Sequence, residues 1–286
     1  MMYTAFVYAT YILGIVLLFC SAGSVLLYMG ANRNGNWLTV AYRLAVVALA
    51  SLIVTGGLRA FQWKLVPYTT AVDSLCLFTT LSLAVIMVQL AVFSSHRALL
   101  CFYLPALSLI GVLSLFTAYP ALSVAPKELS SGLLIAHVGL VFLAFALFFL
   151  AGLNGVAYVF QAHRLKHRKT TGLFQRLPSL DALDKNLFQL IRAGYPTFVV
   201  TLIVGGFWVW YEGDKLSPTW WISPKVAMSV PMLLFYAFTF HARAIGWLRG
   251  PKLAYLVCYG TAALIGFYLV LTLLGAQDHN FYGAAG

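Results

Sequence analysis

Eight long apolar segments divide this chain, and they constrain its fold more than any other feature. A helix needs ~20 mostly apolar residues to cross the hydrocarbon core of a bilayer. The segments are residues 5–29, 38–58, 72–94, 98–118, 132–159, 187–211, 224–247 and 252–275. Lipid cannot hydrogen-bond the backbone, so such segments fold as helices. The sequence therefore predicts an all-α polytopic integral membrane bundle, with residues 1–286 as one membrane domain.

The composition supports this fold class and excludes a nucleic-acid partner. Hydrophobic residues make up 62% of the chain, charged residues only 9%, and the mean hydropathy is +0.90. The formal net charge is +11, but the basic residues fall between apolar segments rather than on one soluble face. They are typical of topology signals. The first 30 residues lack a basic leader and a small-residue cleavage site, so we expect a retained span rather than a signal peptide.

The distribution of basic residues predicts the orientation. Thirteen of the eighteen lysines and arginines fall on one side of the eight segments or in the adjoining span ends. The other side has five, namely Arg59, Lys64, Lys127, Lys215 and Lys225. The positive-inside rule places the richer side in the cytoplasm. Both termini then face outward, and the chain is expected in the inner (cytoplasmic) membrane of a bacterium.

The cysteines exclude several kinds of chemistry. Cys20, Cys76, Cys101 and Cys258 each lie within an apolar segment, and none belongs to a CxxC pair. This pattern argues against a thiol–disulfide relay and against a cysteine zinc site. The chain also lacks CxxCH, so it is not itself a c-type cytochrome.

The loop at residues 160–186 is the most basic part of the predicted cytoplasmic side. It contains "HRLKHRK" and then "LPSLDALDKNLFQLI", in which apolar residues recur at helical spacing after a Pro-Ser start. This pattern predicts a short amphipathic helix on the inner membrane surface. The alternative is a docking element for a cytoplasmic partner.

Three of the six histidines lie at depths that suggest a ligand site. His137 lies five residues into the fifth segment, about 8 Å from its outer end, and His279 lies just beyond the eighth segment on the outer side. His241 lies about 25 Å along the seventh segment, in the inner leaflet. Each imidazole could pack by hydrogen-bonding a neighbouring helix, or it could bind a ligand. Two outward histidines and one inward histidine in apolar surroundings suit haem iron better than a divalent metal, which prefers oxygen ligands.

The outward segment at 205–225 is rich in tryptophan. Four of the seven tryptophans, Trp208, Trp210, Trp220 and Trp221, fall here behind Gly205 and Gly206. One interpretation is an aromatic belt at the membrane surface. The other is a loop that forms a flat apolar platform for a porphyrin, with Lys215 and Lys225 either pairing with propionates or solvated.

Several stretches resemble the cytochrome c assembly protein family, which is CcsA-like and related to CcmC and CcmF. They are "LPSLDALDKNLFQLIRAGYPTFVVTLIVGG", "SPKVAMSVPMLLFYAFTFHARAIGWLRGPKLA", "DHNFYG", "GLLIAHVGLVFLAFALF" and, more weakly, "VPYTTAVDSLCLF". The resemblance covers about residues 56–283, and its second half is the more specific.

The resemblance implies that the chain binds haem b, carries it across the membrane and presents it outside for attachment to apocytochrome c. His137 and His279 would be the outward pair of iron ligands beside Trp208, Trp210, Trp220 and Trp221, and His241 would be the intramembrane ligand. It further implies a second membrane subunit as partner, in a cytochrome c haem lyase or synthase.

One departure from the family pattern supports an alternative function. Where the family has Trp-Asp-Pro-Lys-Glu-Thr-Trp, residues 222–228 read "ISPKVAM", so the two acidic residues and the last tryptophan of the motif are missing, and the nearby tryptophans are displaced. HemX- and YpjD-like members also lack the complete motif. The alternative is therefore a non-catalytic accessory or regulatory membrane protein. A small-solute transporter is the weakest hypothesis, because no substrate-binding pattern supports it.

Overall fold

A computed structural model shows helices joined by short turns throughout the residues that it describes. It describes residues 2–29, 36–63, 71–116, 131–167, 177–212, 220–242 and 248–273, together with Ala244 and Gly246. The α-helices in chain order are α1 Met2–Met29, α2 Asn36–Trp63, α3 Ala71–Val92, α4 Leu100–Leu115, α5 Gly132–Lys166, α6 Leu180–Glu212, α7 Pro224–His241 and α8 Pro251–Leu273. Short 3-10 turns lie at Ser94–Leu99 and Trp220–Ile222.

Each predicted segment coincides with one of the eight helices of the described residues. Six of them, α1 to α6, are long and apolar enough to cross a membrane, and α7 is a shorter apolar helix. At 1.5 Å per residue, the 18 residues of α7 measure about 27 Å. The prediction of a polytopic helical membrane protein is confirmed.

Helix α5 is the centre of the bundle. It packs against α6 and α8 and also contacts α3 and α4, while α1 pairs with α2 and α4, and α7 lies against α6 and α8. Small residues allow the closest approaches, as is usual between membrane helices. A Cβ at Gly152 on α5 would lie 2.3 Å from the Thr261 hydroxyl oxygen of α8. The absence of a side chain lets that hydroxyl donate to the Phe148 carbonyl at 3.1 Å.

The amphipathic segment predicted in the 160–186 loop is not a separate helix. Helix α5 continues to Lys166, and the segment forms the first turns of α6. Ser179 begins α6 by accepting a hydrogen bond from the Ala182 amide. Helix α6 runs without a break from Leu180 into the predicted span. Its one proline, Pro196, lies further along, within the span.

A buried ion pair links α2 to α3 at the predicted outer side. Arg59 lies 2.9 Å from Asp73, and the two side chains are 8% and 2% exposed. Arg59 is counted above among the charges outside the predicted spans, but it lies within α2. Its charge is neutralised inside the protein.

Candidate functional site

His137 lies in the interface between α5 and α6, where it is half-buried. Its Nδ1 is 2.9 Å from the main-chain carbonyl oxygen of Thr201 on α6. A carbonyl oxygen can only accept, so Nδ1 carries the proton in this hydrogen bond. In the neutral imidazole the lone pair then lies on Nε2. Histidines that bind metals commonly have this arrangement, with one nitrogen held by a backbone carbonyl and the other available as ligand.

Gly205 makes this position of the imidazole possible. A Cβ built on Gly205 would lie 2.6 Å from Cε1 and 2.7 Å from Nδ1 of His137, closer than real Cβ contacts come. The neighbouring Gly206 has nothing within 4 Å of such a Cβ. Gly205 therefore leaves the space that the His137 ring fills. Both glycines lie within α6, inside the predicted span 187–211, and not in the tryptophan-rich loop predicted at 205–225.

His241 is the last residue of α7 and is exposed. Its Nδ1 lies 2.8 Å from the carbonyl oxygen of Ala237, one turn earlier in the same helix. By the same argument this hydrogen bond holds the proton on Nδ1 and leaves Nε2 as the acceptor nitrogen. The ring lies beside Phe240 and Tyr195, with centroid distances of 5.1 and 6.5 Å.

An aromatic cluster fills the space between the two histidines. Tyr195 of α6 lies beside His241 of α7. Thr201, which binds His137, follows Tyr195 on α6 by six residues, about 9 Å along the helix axis. The cluster includes Phe145, Phe148, Phe198, Met232 and Tyr236. At its centre Phe148 stacks on Tyr236, with ring centroids 3.4 Å apart and planes 5° from parallel. The two histidines are thus separated by packed rings.

The tryptophans divide into buried and exposed sets. Trp208 lies on α6, is 5% exposed and clusters with Leu134, Val138 and Phe142, which lie on either side of His137 in the sequence of α5. Trp210 and Trp221 are 81% and 61% exposed. The predicted 205–225 loop is therefore shorter than expected, because α6 continues to Glu212 and carries Trp208 and Trp210. A membrane helix keeps its backbone hydrogen bonds within itself, which favours this continuation over a loop.

Some of the predicted site residues lie outside the described residues. His279 and Lys215 are among them. Trp220 begins a 3-10 turn and Lys225 lies in the first turn of α7, but the structure describes only the backbone of these two. The described part of the predicted outward site therefore consists of His137, Trp208, Trp210 and Trp221.

The donor set and its surroundings fit haem. Each described histidine holds its Nδ1 proton on a main-chain carbonyl, so that Nε2 of His137 and of His241 could bind haem iron. An apolar cluster that includes Leu134 and Val138 lies on the same part of α5 as His137, and Gly205 leaves the ring the room that a side chain would occupy. The exposed faces of Trp210 and Trp221 lie at the predicted outer end of the bundle.

Comparison with known proteins identifies the family. The model of the cytochrome c assembly protein family matches residues 69–277. The chain belongs to this family. Its relatives include HemX of Bacillus subtilis, 32% identical over 156 residues, which are 54% of each chain. HemX of Brevibacillus brevis is 27% identical over 235 residues, covering 79% of this chain and 82% of the relative.

CcsA proteins match a shorter part. The cytochrome c biogenesis protein CcsA of Gloeothece citriformis is 31% identical over 108 residues, 37% of this chain and 32% of that protein. This chain thus spans about half of the Bacillus subtilis HemX, most of the Brevibacillus brevis HemX and about a third of this CcsA. The resemblance to a CcsA-like family with HemX-like members is confirmed.

A buried polar network at the predicted inner ends of α3 to α6 was not expected from the sequence. Asn154 and Tyr103 are fully buried, and Asn186 and Gln89 are 2% and 8% exposed. Asn186 donates to Asn154 at 2.9 Å and is 3.5 Å from the Tyr103 hydroxyl, while Gln89 donates to Asn186. Amides within apolar segments could have indicated a site, because polar groups inside a membrane are costly unless they are paired.

Proposed function

We propose that the chain handles haem in cytochrome c biogenesis and presents it on the outer side of a bacterial cytoplasmic membrane. The observation that carries the proposal is the His137 imidazole, held by the Thr201 carbonyl in the space left by Gly205. Membership of the cytochrome c assembly family and the CcsA relatives support the same role. The cofactor proposed is haem b.

In this proposal each residue has a defined part. His137 and His279 are the outer ligands of the iron, and His241 is the inner ligand. Trp210, Trp220 and Trp221 form the apolar platform outside, and Trp208 holds α6 against α5 beneath it. Phe148 and Tyr236, stacked in the cluster that also contacts Tyr195 beside His241, would hold α5 against α7. The chemistry that haem supplies is the reactivity of its vinyl groups toward cysteine thiols.

The contribution of the chain to attachment is positional. Leu134 and Val138, neighbours of His137 on α5, belong to an apolar cluster with Trp208, and no proton-transfer role is assigned to the chain in this proposal. Holding a haem beside the CxxCH thiols of an apocytochrome c raises their effective concentration, which is catalysis by proximity. A second membrane subunit is proposed to deliver the apocytochrome.

A second function is favoured by the altered motif at residues 222–228 and by the long match to a HemX protein. In this alternative the chain is a non-catalytic accessory or regulatory membrane protein that keeps the fold. The two functions differ in what must accompany the chain. The first requires an apocytochrome and a membrane partner, and the second requires neither.

A reporter assay tests the proposal. The full chain and its membrane partner would be expressed with a CxxCH apocytochrome in a host that lacks its own cytochrome c maturation system. We expect covalent haem on the reporter, and at least a tenfold loss with His137→Ala, because the outer ligand is removed. His163→Ala on the exposed inner end of α5 is the control and should retain full yield. Absence of covalent haem with every partner tried would favour the accessory function.

A further inference from the structure

Two exposed histidines lie one turn apart at the predicted inner end of α5. His163 and His167 are four positions apart, and residues at this spacing lie on the same face of a helix. The His167 amide donates to the His163 carbonyl oxygen at 3.2 Å, so the helical turn between them is complete. Both imidazoles are exposed, and neither belongs to the haem site proposed above.

The distance between the two rings suits a single metal ion. Their centroids are 4.4 Å apart and their planes are inclined by 52°. With a metal–nitrogen bond of ~2.1 Å, an ion lies ~3.2 Å from the centre of an imidazole that binds it. Rings 4.4 Å apart then subtend an angle of about 90° at the ion, as neighbouring ligands do in octahedral and square-planar complexes. Because both side chains are exposed, each ring can turn about its Cβ–Cγ bond to direct a nitrogen at the ion.

The charges around the pair select the kind of ion. The unpaired carbonyls at the C-terminus of α5 give it a partial negative charge, which favours a cation. Arg164 and Lys166 lie in the same last turn and oppose this effect. The Arg164 guanidinium lies over the Phe160 ring, 5.7 Å from its centroid and one turn back along the helix. Bonds to the two imidazole nitrogens must therefore hold the ion, which favours a transition metal over Mg²⁺ or Ca²⁺, since these prefer oxygen ligands.

We propose that His163 and His167 chelate one divalent transition-metal ion of the Ni²⁺ and Cu²⁺ class on the predicted cytoplasmic side of the membrane. Each imidazole binds in its neutral form through one nitrogen. Among the residues that the structure describes, no third histidine, cysteine or carboxylate joins the pair, and water completes the coordination. The site uses neither His137 nor His241 and stands whether or not the proposed haem function is correct.

Isothermal titration calorimetry of the haem-free full chain, purified without a polyhistidine tag, tests the site. Cu²⁺, Ni²⁺, Zn²⁺ and Mg²⁺ would be titrated separately into the detergent-solubilised protein. We expect one Ni²⁺ or Cu²⁺ to bind before any other histidine is occupied, because the second imidazole binds at a high effective concentration once the first is bound. Cu²⁺ should bind most tightly, as the general order of metal affinities requires, and Mg²⁺ should show no saturable binding.

Variants separate chelation from binding to single histidines. His163→Ala and His167→Ala are each expected to weaken Ni²⁺ binding at least tenfold, because one imidazole remains. The matched control is His167→Ala combined with Leu165→His, which keeps the number of histidines but places the second one two positions from His163, on another face of the helix. This variant should bind Ni²⁺ as weakly as His167→Ala alone. All three changed side chains are exposed, so the fold is expected to be retained.

Electron paramagnetic resonance of the protein with less than one equivalent of Cu²⁺ identifies the ligands directly. The parent protein should show coupling to two imidazole nitrogens, and His163→Ala should show coupling to one. Lys166→Gln provides a test of the charge argument, because removal of this repelling charge should strengthen Ni²⁺ binding about twofold.

Three results would overturn the proposal. One is a Ni²⁺ affinity of His163→Ala or His167→Ala within twofold of the parent protein. Another is parental affinity in the variant that combines His167→Ala with Leu165→His, because the spacing of the pair would then be irrelevant. The third is Mg²⁺ binding as tight as that of Ni²⁺, which would indicate oxygen ligands in place of the imidazoles.

Discussion

Gly205→Ala is expected to weaken haem binding at least tenfold, although it adds only one methyl group. The new Cβ would overlap the His137 ring, with 2.6 Å to Cε1 and 2.7 Å to Nδ1. The ring must move, which breaks the hydrogen bond to Thr201 and frees the imidazole to rotate. Alanine within a helix stabilises the fold by about 0.5–1 kcal/mol relative to glycine. A loss of helix stability therefore cannot explain weaker haem binding.

Gly206→Ala is the matched control, because nothing lies within 4 Å of its added methyl group. Two measurements distinguish the geometric claim from the functional one. Nitrogen-15 NMR of labelled histidines in the haem-free protein reports whether the protonated Nδ1 signal of His137 changes. Haem titration then reports affinity. An unchanged His137 signal in Gly205→Ala would contradict the role of Gly205, whereas a changed signal with no haem binding in the parent would contradict only the haem proposal.

Asp73→Asn is expected to destabilise the protein by ~3–5 kcal/mol, because it leaves the Arg59 guanidinium buried without its carboxylate. The two side chains are 8% and 2% exposed and join α2 to α3. Replacing both residues by apolar ones, Arg59→Met with Asp73→Leu, should recover much of the loss, because buried ion pairs are often no more stabilising than well-packed hydrophobic residues. Thermal unfolding of the purified variants in one detergent measures both effects.

The exposed pair Asp181–Lys185 is the control for this experiment. Its atoms are 2.7 Å apart, but the side chains are 73% and 65% exposed. Water and salt screen such a pair, so Asp181→Asn should leave the unfolding temperature within error. If Asp73→Asn lowered the unfolding temperature no more than Asp181→Asn does, the structural role of the buried pair would be contradicted.

The positions of the helices could be predicted from the sequence because a span is a local property. Twenty apolar residues in a row specify a membrane helix whatever they pack against. Most helix ends lie within a few residues of the predicted boundaries. One exception is α7, which ends at His241 and not at the predicted residue 247. Two other exceptions have a common cause. Helices α5 and α6 extend beyond the hydrocarbon core as polar or aromatic helix, which hydropathy alone does not mark.

The residues of the candidate site could be predicted from the sequence, but the contacts between them could not. The depth of His137 follows from its position in the segment, whereas its hydrogen bond joins residues 64 positions apart. The same is true of Gln89 and Asn186, which are 97 positions apart. Gly205 shows the difference most clearly, because the sequence marks it only as a flank of the tryptophan-rich segment, and the packing of α5 on α6 shows what a side chain there would displace.

Haem titration of the purified full chain, followed by the Soret band, tests the central claim most directly. The parent protein should give a saturable, red-shifted band, and the double variant His137→Ala, His241→Ala should lose it. The control is His163→Ala with His167→Ala, an exposed pair of imidazoles whose ring centroids are 4.4 Å apart at the inner end of α5. No saturable band in the parent, or equal bands in the parent and the His137→Ala, His241→Ala variant, would contradict haem ligation by these histidines.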